Sequence, residues 1–580
     1  MKKLVIYLAA LVVVASAAVG FVVWKNNKDS KPAKTENASG EALPLNLASN
    51  SEAEVVSGYK CAVADNAMAV LRFDINQLLE KSGMKEELTN MFISELKQEG
   101  APELVVNLVN NPRNTGVDVE APMYAYVKLL DKDNMTVGFV AKMHNKEMLD
   151  NLLALLPVGS KVEESGCTLV QMEDNVVLAY NDVALVVGVV TPMEQQYDIY
   201  GNLVSGVVPD VKPLLVKSLQ NATANNDYNV VLPAYVGSDA AICLNMREFG
   251  KLVKQYIIAE AHGEYNAEVT QALNILDLYT NGKVDVALNF ADGSINLDAM
   301  AVGFENPVKF TPQPCSNKNL SMVSADGLAV VNVPFNGSMY VDAIKTLLNT
   351  YPEMRQAVNE VLAESGASGF DVDMALNFVY PLLSSVNGDL TLAINSVKPI
   401  NKGYVMTADV DACAVVNVTN SSIMSALEMT GATSTPEVKN LGNGSYAVDA
   451  DEYTKVTFGQ KDDLLYISTA GVVAPKHNSA TAASWYPAIQ NSYAYAVVSI
   501  SSLCSIPEFI QEVEKGIRDE VGYDESMYQA SMKAVKSLDY LLLTAPTSES
   551  VSLRLVLKNK KENALKQYVD MIKPLVYQNL

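Results

Sequence analysis

Histidine is scarce in this chain of 580 residues, which contains three of them, far apart in the sequence. A catalytic triad or a zinc site needs several such groups at one point, so His144, His262 and His477 give little support to either. No Gly-x-Ser-x-Gly turn, Walker phosphate loop or His-Glu-x-x-His helix is present. We expect the histidines to be solvated, and the sequence indicates no catalytic, cofactor-binding or metal site and no enzyme.

Paired cysteines are also missing. The six cysteines are widely spaced and none belongs to a Cys-x-x-Cys motif, which argues against a zinc knuckle and against a thioredoxin-type redox pair. Cys243 lies in the apolar run Ala240–Leu244, a setting that favours a buried thiol packed as a small apolar residue. One or two disulfides are the alternative for an exported chain.

Positive charge is the third shortage, with 43 Lys and Arg against 66 Asp and Glu and a net charge of −23. Such an acidic chain repels phosphate backbones, so we predict no nucleic-acid partner. Apolar residues make up 49% of the sequence, enough to bury large cores, and the length allows several domains.

One long apolar run is present, at the N-terminus. Lys2 and Lys3 precede an unbroken stretch of apolar or small residues from Leu4 to Trp24. As a helix this run would be about 31 Å long, enough to cross a bilayer. We predict that residues 1–24 form an uncleaved signal anchor that holds the chain in the membrane. The alternative is a signal peptide cleaved at Ala15-Ser16-Ala17.

Residues 25–57 are rich in Ser, Asn and Glu and predict a flexible polar tether. A short basic start followed by an apolar run usually sends the rest of the chain outward. We therefore predict a location in the cell envelope. The chain would be anchored in the inner membrane with its body in the periplasm, or it would lie at the cell surface.

Four short segments of the body share one pattern, an apolar strand followed by a helical pattern. They are Ala69–Asp74, Ala240–Asn245, Ala329–Pro334 and Ala496–Ser501. Three of them end on a good helix N-cap residue: Asp74, Asn245 and Ser501. In the third segment Pro334 occupies that position, so its helix should begin later, near Asn336 or Ser338.

The spacing of these segments predicts a duplication. The first and third begin 260 residues apart, at 69 and 329, and the second and fourth begin 256 apart, at 240 and 496. Two nearly equal offsets indicate one repeated unit of roughly 260 residues, because independent matches would not share a spacing.

The order of the other predicted elements repeats as well. The first half shows Met123–Leu130, Thr136–Met143, a helix over Asn145–Leu156, Thr168–Met172, Val176–Tyr180 and Ala184–Val190. The second half shows Leu390–Ile394, Tyr404–Val410, a helix over Ser422–Met429, Tyr446–Asp449, Thr454–Phe458 and Leu464–Ser468. A strand pair closes each half: Val284–Phe290 with Ile295–Val302, and Tyr540–Thr544 with Val551–Leu557.

The sequence therefore predicts an α+β fold. Two tandem copies of one unit, over residues 58–320 and 321–580, would each contain an antiparallel sheet covered by helices. Both would follow the N-terminal transmembrane helix.

The segment from Val63 to Gly83 carries a resemblance. An Ala64-Asp65-Asn66 turn leads into an apolar strand that ends on Asp74 and then a Leu-rich helix with Lys-Ser-Gly. This segment resembles the start of a family of uncharacterised Bacteroidetes envelope proteins that carry a large domain of unknown function, number 4836. That family has a proline in the turn and a lipidation cysteine, both absent here. The resemblance implies export and an envelope location, and it implies no reaction.

Alternating carboxylates are the remaining candidates for chemistry. They form three groups: Asp371/Asp373, Asp409/Asp411 and Asp449/Asp451/Glu452. Alternation in an extended run places the members of a group on one strand face. Calcium needs six to eight oxygen ligands, and no segment supplies them all. We expect solvated strand faces, with calcium binding as the alternative.

These observations favour a non-enzymatic binding or scaffold module with a protein or glycan partner and no cofactor. One alternative is an envelope hydrolase that acts on glycans or peptides through carboxylates of both halves. Another is a calcium-stabilised adhesin. The pairs Tyr124/Tyr126 and Tyr493/Tyr495 alternate at strand starts, and we expect them in the core, with an exposed binding surface as the alternative.

Overall fold

The computed structural model describes residues 57–578 with interruptions. Not described within that span are 88–89, 91–93, 95–110, 132, 155–158, 174, 193–195, 198–202, 205–208, 226–229, 236, 261–268, 271–272, 274–275, 278–279, 305–312, 365–370, 403–404, 451–453 and 523. The predicted anchor from Leu4 to Trp24 and the predicted tether, except Ser57, lie outside the described residues. Within the described part, no helix combines the length and apolar character needed to span a membrane.

The described chain forms two compact units. An N-terminal unit runs to Phe290 and includes the stretch from Leu297, and a C-terminal unit holds Ala291–Asn296 and the described residues after Asn306. Each unit contains helices and an antiparallel sheet, which confirms the predicted mixture of helices with antiparallel strands.

The N-terminal unit is built on a sheet of mainly short strands. Its elements are β1 (Ala69–Phe73), α1 (Ile75–Ser82), β2 (Met123–Leu129), β3 (Asn134–Lys142), α2 (Lys146–Leu153), β4 (Lys161–Glu164), β5 (Cys167–Glu173), β6 (Val176–Tyr180), β7 (Ala184–Pro192), β8 (Gln196–Tyr197), β9 (Leu203–Val204), α3 (Lys212–Ala224), β10 (Ala240–Asn245), α4 (Met246–Glu260), β11 (Lys283–Ala291) and β12 (Ser294–Val302). Short 3-10 helices cover Gly58–Ala62 and Pro112–Thr115. The strand order is β4-β5-β6-β7-β3-β2-β1-β10-β11, with every neighbouring pair antiparallel.

The C-terminal unit has longer strands and more helices. Its elements are β13 (Ala329–Asn336), α5 (Gly337–Thr350), α6 (Pro352–Glu364), α7 (Val372–Ser384), β14 (Val386–Lys402), β15 (Val405–Val418), α8 (Ser422–Met429), β16 (Val438–Gly442), β17 (Ser445–Asp449), β18 (Lys455–Lys461), β19 (Leu464–Ser468), α9 (Tyr486–Ile489), β20 (Ala494–Ser499), α10 (Ile500–Leu503), α11 (Pro507–Val521), α12 (Glu525–Ser537), β21 (Leu538–Thr547), β22 (Ser550–Leu557) and α13 (Ala564–Gln578). Short 3-10 helices cover Lys318–Met322 and Ala480–Ala482. The strand order is β16-β17-β18-β19-β15-β14-β13-β20-β21-β22, again antiparallel throughout.

Helix starts follow the predicted caps in two places and differ in a third. The Asp74 carboxylate accepts the N–H of Gln77 at 2.9 Å, and the Asn336 side chain accepts from Met339 at 3.1 Å. The cap predicted at Ser501 is wrong, because Ser499 accepts the N–H of Ser502 and the helix begins directly after it. Strand β20 thus ends two residues before the predicted end.

One face of each sheet is buried in a large core. In the N-terminal unit Tyr126, Leu215 and Leu219 are fully buried there, and in the C-terminal unit Tyr466 and Ile489 are. The buried-thiol prediction is confirmed for five of the cysteines: Cys61, Cys167, Cys243, Cys315 and Cys413. All six cysteines are free thiols, and Cys504 is half-buried.

The core of the C-terminal unit also contains a polar network around Asp389, which is 2% exposed. Its carboxylate accepts the backbone N–H groups of Ser316 at 3.0 Å and Asn317 at 2.7 Å, and the Ser316 hydroxyl at 2.9 Å. The Asn332 side-chain amide donates to it at 3.3 Å. Because buried polar groups need partners, this network fixes the chain around Ser316 against β14.

Candidate functional site

The carboxylates at 371 and 373 do not share a strand face, so that prediction is wrong. Asp371 is the N-cap of α7 and accepts the N–H of Met374 at 2.8 Å. Asp373 lies in the first turn and forms a two-bond ion pair with Arg355, at 2.5 and 3.2 Å. Acidic residues at a helix start bind its unpaired N–H groups and complement its dipole. Here the Asp-x-Asp spacing signals a helix start.

The carboxylates at 409 and 411 lie on β15, as an extended run requires. Asp409 is exposed and stands opposite Lys398 in the register. The Asp411 carboxylate binds the Lys476 ammonium at 2.9 Å and the Asn395 amide at 3.0 Å. Partial burial works to raise the pKa of Asp411, but the hydrogen bonds and charge of Lys476 outweigh it and hold the pKa below its usual value.

The third group is only partly described. Asp449 pairs with Lys439 at 2.7 Å, and the Lys439 hydrogen bond lowers the pKa of Asp449. Asp451 and Glu452 lie outside the described residues, so calcium binding by this group stays a prediction. Over the described ranges, no three His, Cys, Asp or Glu side chains come close enough together to hold a metal ion.

The aromatic and histidine predictions fall mostly on described residues. His144 and His477 are exposed, as expected, and His262 lies outside the described residues. The core interpretation of the tyrosine pairs is confirmed for three members: Tyr124, Tyr126 and Tyr495, each at most 3% exposed. Tyr493 is half-buried.

Strand β14 shows an inverted pattern of burial. Its polar residues Asp389, Thr391 and Asn395 are 1–7% exposed on the face that packs into the core. Its aliphatic residues Leu392 and Ile394 face the other way and are 45% and 39% exposed. A strand normally buries its apolar side, so the outward face of β14 has the composition of a surface that should be covered.

The neighbouring strands extend this apolar face across the sheet. The register places these residues in one row: Leu543 of β21, Ala496 of β20, Val331 of β13, Leu392 of β14, Ala414 of β15, Ile467 of β19 and Phe458 of β18. Of these, Leu543, Val331 and Ile467 are 38%, 39% and 54% exposed. Adjacent exposed aliphatic side chains of this kind are typical of surfaces that bind a partner.

A hollow of about 430 Å³ lies in this face. It exists because β15 contributes small side chains between larger ones of its neighbours. We define the apolar hollow by its outward-facing residues: Val331, Leu392, Ile394, Ala412, Ala414 and Ile467. Its volume lies within the range of small-molecule and peptide-side-chain pockets.

The same face of the N-terminal unit is filled and partly covered. Phe139 of β3 stands at the register position that Ala414 occupies in β15, with Ala125 and Val187 beside it in place of Leu392 and Ile467. Helix α2 lies over this face, where Leu149 and Leu153 are buried in a cluster with side chains of the sheet: Met123, Ala141, Val170, Leu178, Tyr180 and Leu185.

The lining of the apolar hollow suits binding and offers little for catalysis. Among the residues that the structure describes, no charged side chain lines it. At its edge the Thr469 hydroxyl donates to the Val410 carbonyl, and the Ser468 hydroxyl accepts the N–H of Ala470. Burial and the nearby Asp411 charge raise the pKa of the Cys413 thiol, which keeps it protonated and unreactive. The hollow therefore presents apolar contact alone.

A second concavity, of about 1020 Å³, lies between α12 and α13. Its carboxylates are already paired: Glu525 with Arg518 at 2.8 Å, and Glu562 and Asp570 both with Lys566 at 2.7 Å. Its lysines stand near the C-terminal end of α12, where cations offset the helix dipole. The ion pairs and the interaction with the helix dipole stabilise the two helices, which explains why these charged side chains are present.

Sequence reasoning missed the apolar hollow, although a signal was present. From Ala412 to Val416 the sequence of β15 is apolar or small at every position, so neither face is polar. Strands with two apolar faces are usual where both faces are covered. Two-sided apolar character in the second half thus pointed to a second surface in need of a partner.

Comparison with known proteins gives one family match. The family model described as "Domain of unknown function (DUF4836)" matches residues 59–565. Two crystal structures of TP0453, forms III and IV, are 9% and 11% identical to this chain. They cover 43% and 42% of it and 81% of their own chains, with TM-scores of 0.21 and 0.22, too low to carry an argument. No curated protein matches the sequence.

Proposed function

We propose that this chain, which belongs to the DUF4836 family of domains of unknown function, is a membrane-tethered, exported protein of the cell envelope that binds a partner without catalysing a reaction. The inverted burial of β14 carries this proposal. The strand turns Leu392 and Ile394 outward and places Asp389 and Thr391 in the core. A stable domain has no need of that arrangement, whereas a binding surface does.

The proposed tether rests on the sequence that precedes the described residues. The apolar run from Leu4 to Trp24 is long enough for a membrane anchor. A flexible segment over 25–57 would hold the body at a root-mean-square distance of roughly 30 Å from it. We place the body in the periplasm with the anchor in the inner membrane, or at the cell surface.

The two units are further proposed to descend from a duplication. Nine strands follow the same order in each, from β4 to β11 and from β16 to β21. Leu244 and Val498 pair with the first residues of the two central strands, Ala69 and Ala329. Leu244 and Val498 are therefore the equivalent residues of the second and fourth repeated segments, and they lie 254 residues apart. The sequence pattern predicted a spacing of 256.

Photo-crosslinking in cells tests the binding function. Benzoylphenylalanine is placed at Leu392, inside the apolar hollow, and at Lys439, an exposed position on β16, as the control. We expect a covalent adduct from position 392, none from 439, and loss of the 392 adduct when Ala414→Phe fills the hollow. Absence of the adduct, or an adduct that persists with Ala414→Phe, would contradict the proposal.

Protease accessibility of a C-terminal tag tests the location. Digestion only after the outer barrier is opened, with the peptide from Leu4 to Trp24 retained in the mass spectrum, is expected for an anchored periplasmic body. Digestion in intact cells would place the body at the surface. Protection until the inner membrane is lysed would place it in the cytoplasm and overturn the envelope assignment.

A further inference from the structure

We infer that the occupant of the apolar hollow is an amphipathic helix of a partner protein, with aliphatic side chains four residues apart facing the sheet. This inference rests on the proposed function, because it names the partner's chemistry at the same surface. Four observations support it: how the N-terminal unit covers its own sheet, the area of the exposed face, the dimensions of the hollow, and the uncharged lining that the described residues form.

The N-terminal unit shows what covers this face in the same strand arrangement. Helix α2 has eight residues, and its Leu149 and Leu153 are 5% and 6% exposed against the sheet. Residues four apart share one face of a helix, so both leucines point to the strands. The corresponding eight-residue helix of the C-terminal unit, α8, buries Met424 alone.

The exposed area fits one helix and falls short of a second copy of the sheet. Five side chains of the face are 38–54% exposed: Val331, Leu392, Ile394, Ile467 and Leu543. Together they amount to a patch of roughly 400 Å², within the range of functional patches. A stable dimer buries about 800 Å² on each partner, about twice as much.

The dimensions of the hollow also match a short helix. Val331, Leu392, Ala414 and Ile467 lie on four adjacent strands, which span three interstrand spacings or about 14 Å. Ten helical residues rise about 15 Å. A helix of two to three turns laid across these strands would therefore span the hollow, with one of its leucines over the small side chain of Ala414.

The charge distribution restricts the occupant to an apolar face. In the described part of the chain no Lys or Arg lines the hollow, so an anionic lipid headgroup finds no counter-ion among these residues. The polar groups at its edge already bond within the chain. A partner must therefore bring side chains that need no hydrogen bond, as the leucine pair of α2 does.

The test uses the full-length protein in phosphatidylcholine nanodiscs and a fluorescein-labelled, hydrocarbon-stapled peptide with the sequence of residues 145–154. Stapling is needed because an isolated ten-residue peptide is not helical in water. Fluorescence anisotropy should show saturable binding. We expect at least tenfold weaker binding when Ala414→Phe fills the hollow or Leu392→Asn removes its apolar wall. A peptide carrying Leu149→Asp and Leu153→Asp should not bind.

Ala363→Phe serves as the matched control, because it adds the same aromatic group at an exposed position of α6 and should leave binding unchanged. No binding of the peptide to the wild-type protein, or equal binding to the Ala414→Phe variant, would overturn the inference. Saturable binding of cis-parinaric acid in place of the peptide would also overturn it, in favour of an acyl chain.

The two proposals fail separately. A crosslink at position 392 that Ala414→Phe abolishes, without peptide binding, would leave the binding function standing and remove the helix. Peptide binding without any crosslink in cells would remove the proposed function and leave the affinity of the hollow for a helix. Failure of both experiments would remove both.

Discussion

The N-terminal unit covers one face of its sheet and part of the other, whereas the C-terminal unit covers one face alone. In the first, Phe139 fills the middle of the outer face and the leucines of α2 close over it. In the second, Ala414 stands at the same register position, and Ile467 beside it is 54% exposed. The two units share their strand order, so a few side chains decide how much of the outer face of each sheet is covered.

This difference separates the residues that stabilise the fold from those that leave a surface free. The C-terminal unit packs its inner face with both apolar side chains and the Asp389 network. It does not need the outer leucines for its core, so they are available to a partner. Substitutions at matched positions of the two units can break or sharpen this comparison.

Asp389→Ala should have the largest effect. It would leave the N–H groups of Ser316 and Asn317 and the amide of Asn332 without their acceptor inside the core. We expect a loss of about 3–5 kcal/mol in the free energy of unfolding of the C-terminal unit. Trp485, which is 5% exposed in that core, reports this unfolding by fluorescence in urea once Trp24 is replaced by Phe.

Asp409→Ala is the control for Asp389, because Asp409 is an exposed carboxylate of the same unit. It should change the unfolding free energy by no more than about 0.5 kcal/mol. Equal effects of the two substitutions would show that the inner network does not carry the stability of this unit, and the comparison would lose its basis.

Leu149→Ala should rank second. The side chain is buried between α2 and the sheet, so its truncation should cost about 2–4 kcal/mol. The loss is read as faster amide hydrogen exchange in β3 and β7, followed by mass spectrometry. Met429→Ala, at an 85% exposed position of the corresponding helix α8, should cost less than about 0.5 kcal/mol. Similar costs would mean that both outer faces are equally covered.

Exchanging the two central residues should give a smaller and asymmetric result. Phe139 packs against the buried cluster under α2 while keeping some exposure, so Phe139→Ala should cost about 2 kcal/mol. Ala414→Phe adds a ring to an open face and should change stability by less than about 1 kcal/mol. Hydrogen exchange in each unit measures both. A large loss from Ala414→Phe would mean that the hollow is part of a closed core.

Much of the fold was predictable because strand alternation and turn residues act locally. The predicted hairpin Val284–Phe290 with Ile295–Val302 matches β11 and β12 closely: three of its four strand ends differ by one residue, and the fourth is the same. Strands β14 and β15 have 17 and 14 residues, against predictions of five and seven. Polar residues such as Ser396 and Asp411 interrupt the apolar pattern there, yet their backbones still pair.

The site was less predictable, for a physical reason. Alternation in β14 separates Leu392 from Thr391, but it does not say which side faces the core. The answer depends on the chain around Ser316, 73 residues before Asp389, which donates to the Asp389 carboxylate and closes the polar side. Local spacing also misled at Asp371, where two carboxylates mark a helix start.

The smallest expected effect is electrostatic and compares Asp411 with Asp65 of the N-terminal unit. Asp411 pairs with one lysine, Lys476 at 2.9 Å, whereas Asp65 pairs with Lys217 at 2.7 Å and Lys128 at 3.3 Å. Burial opposes ionisation in both, but the lysines lower the pKa of each carboxyl below its usual 3.8. Each pair should contribute less than about 1 kcal/mol, because its groups are partly exposed to solvent.

The sign of this effect follows from the lowered pKa. A carboxyl whose pKa is lower in the folded state stabilises the fold above the unfolded-state pKa, and loses that contribution as the pH falls through the folded value. Asp65→Asn and Asp411→Asn should therefore be less stable than the wild type at pH 7, with the difference shrinking below about pH 4. Urea unfolding at pH 7 and 3.5 measures it, and Asp65→Asn should show the larger change. A difference that grows towards acid would contradict the assigned ion pairs, since protonation must remove the attraction to lysine.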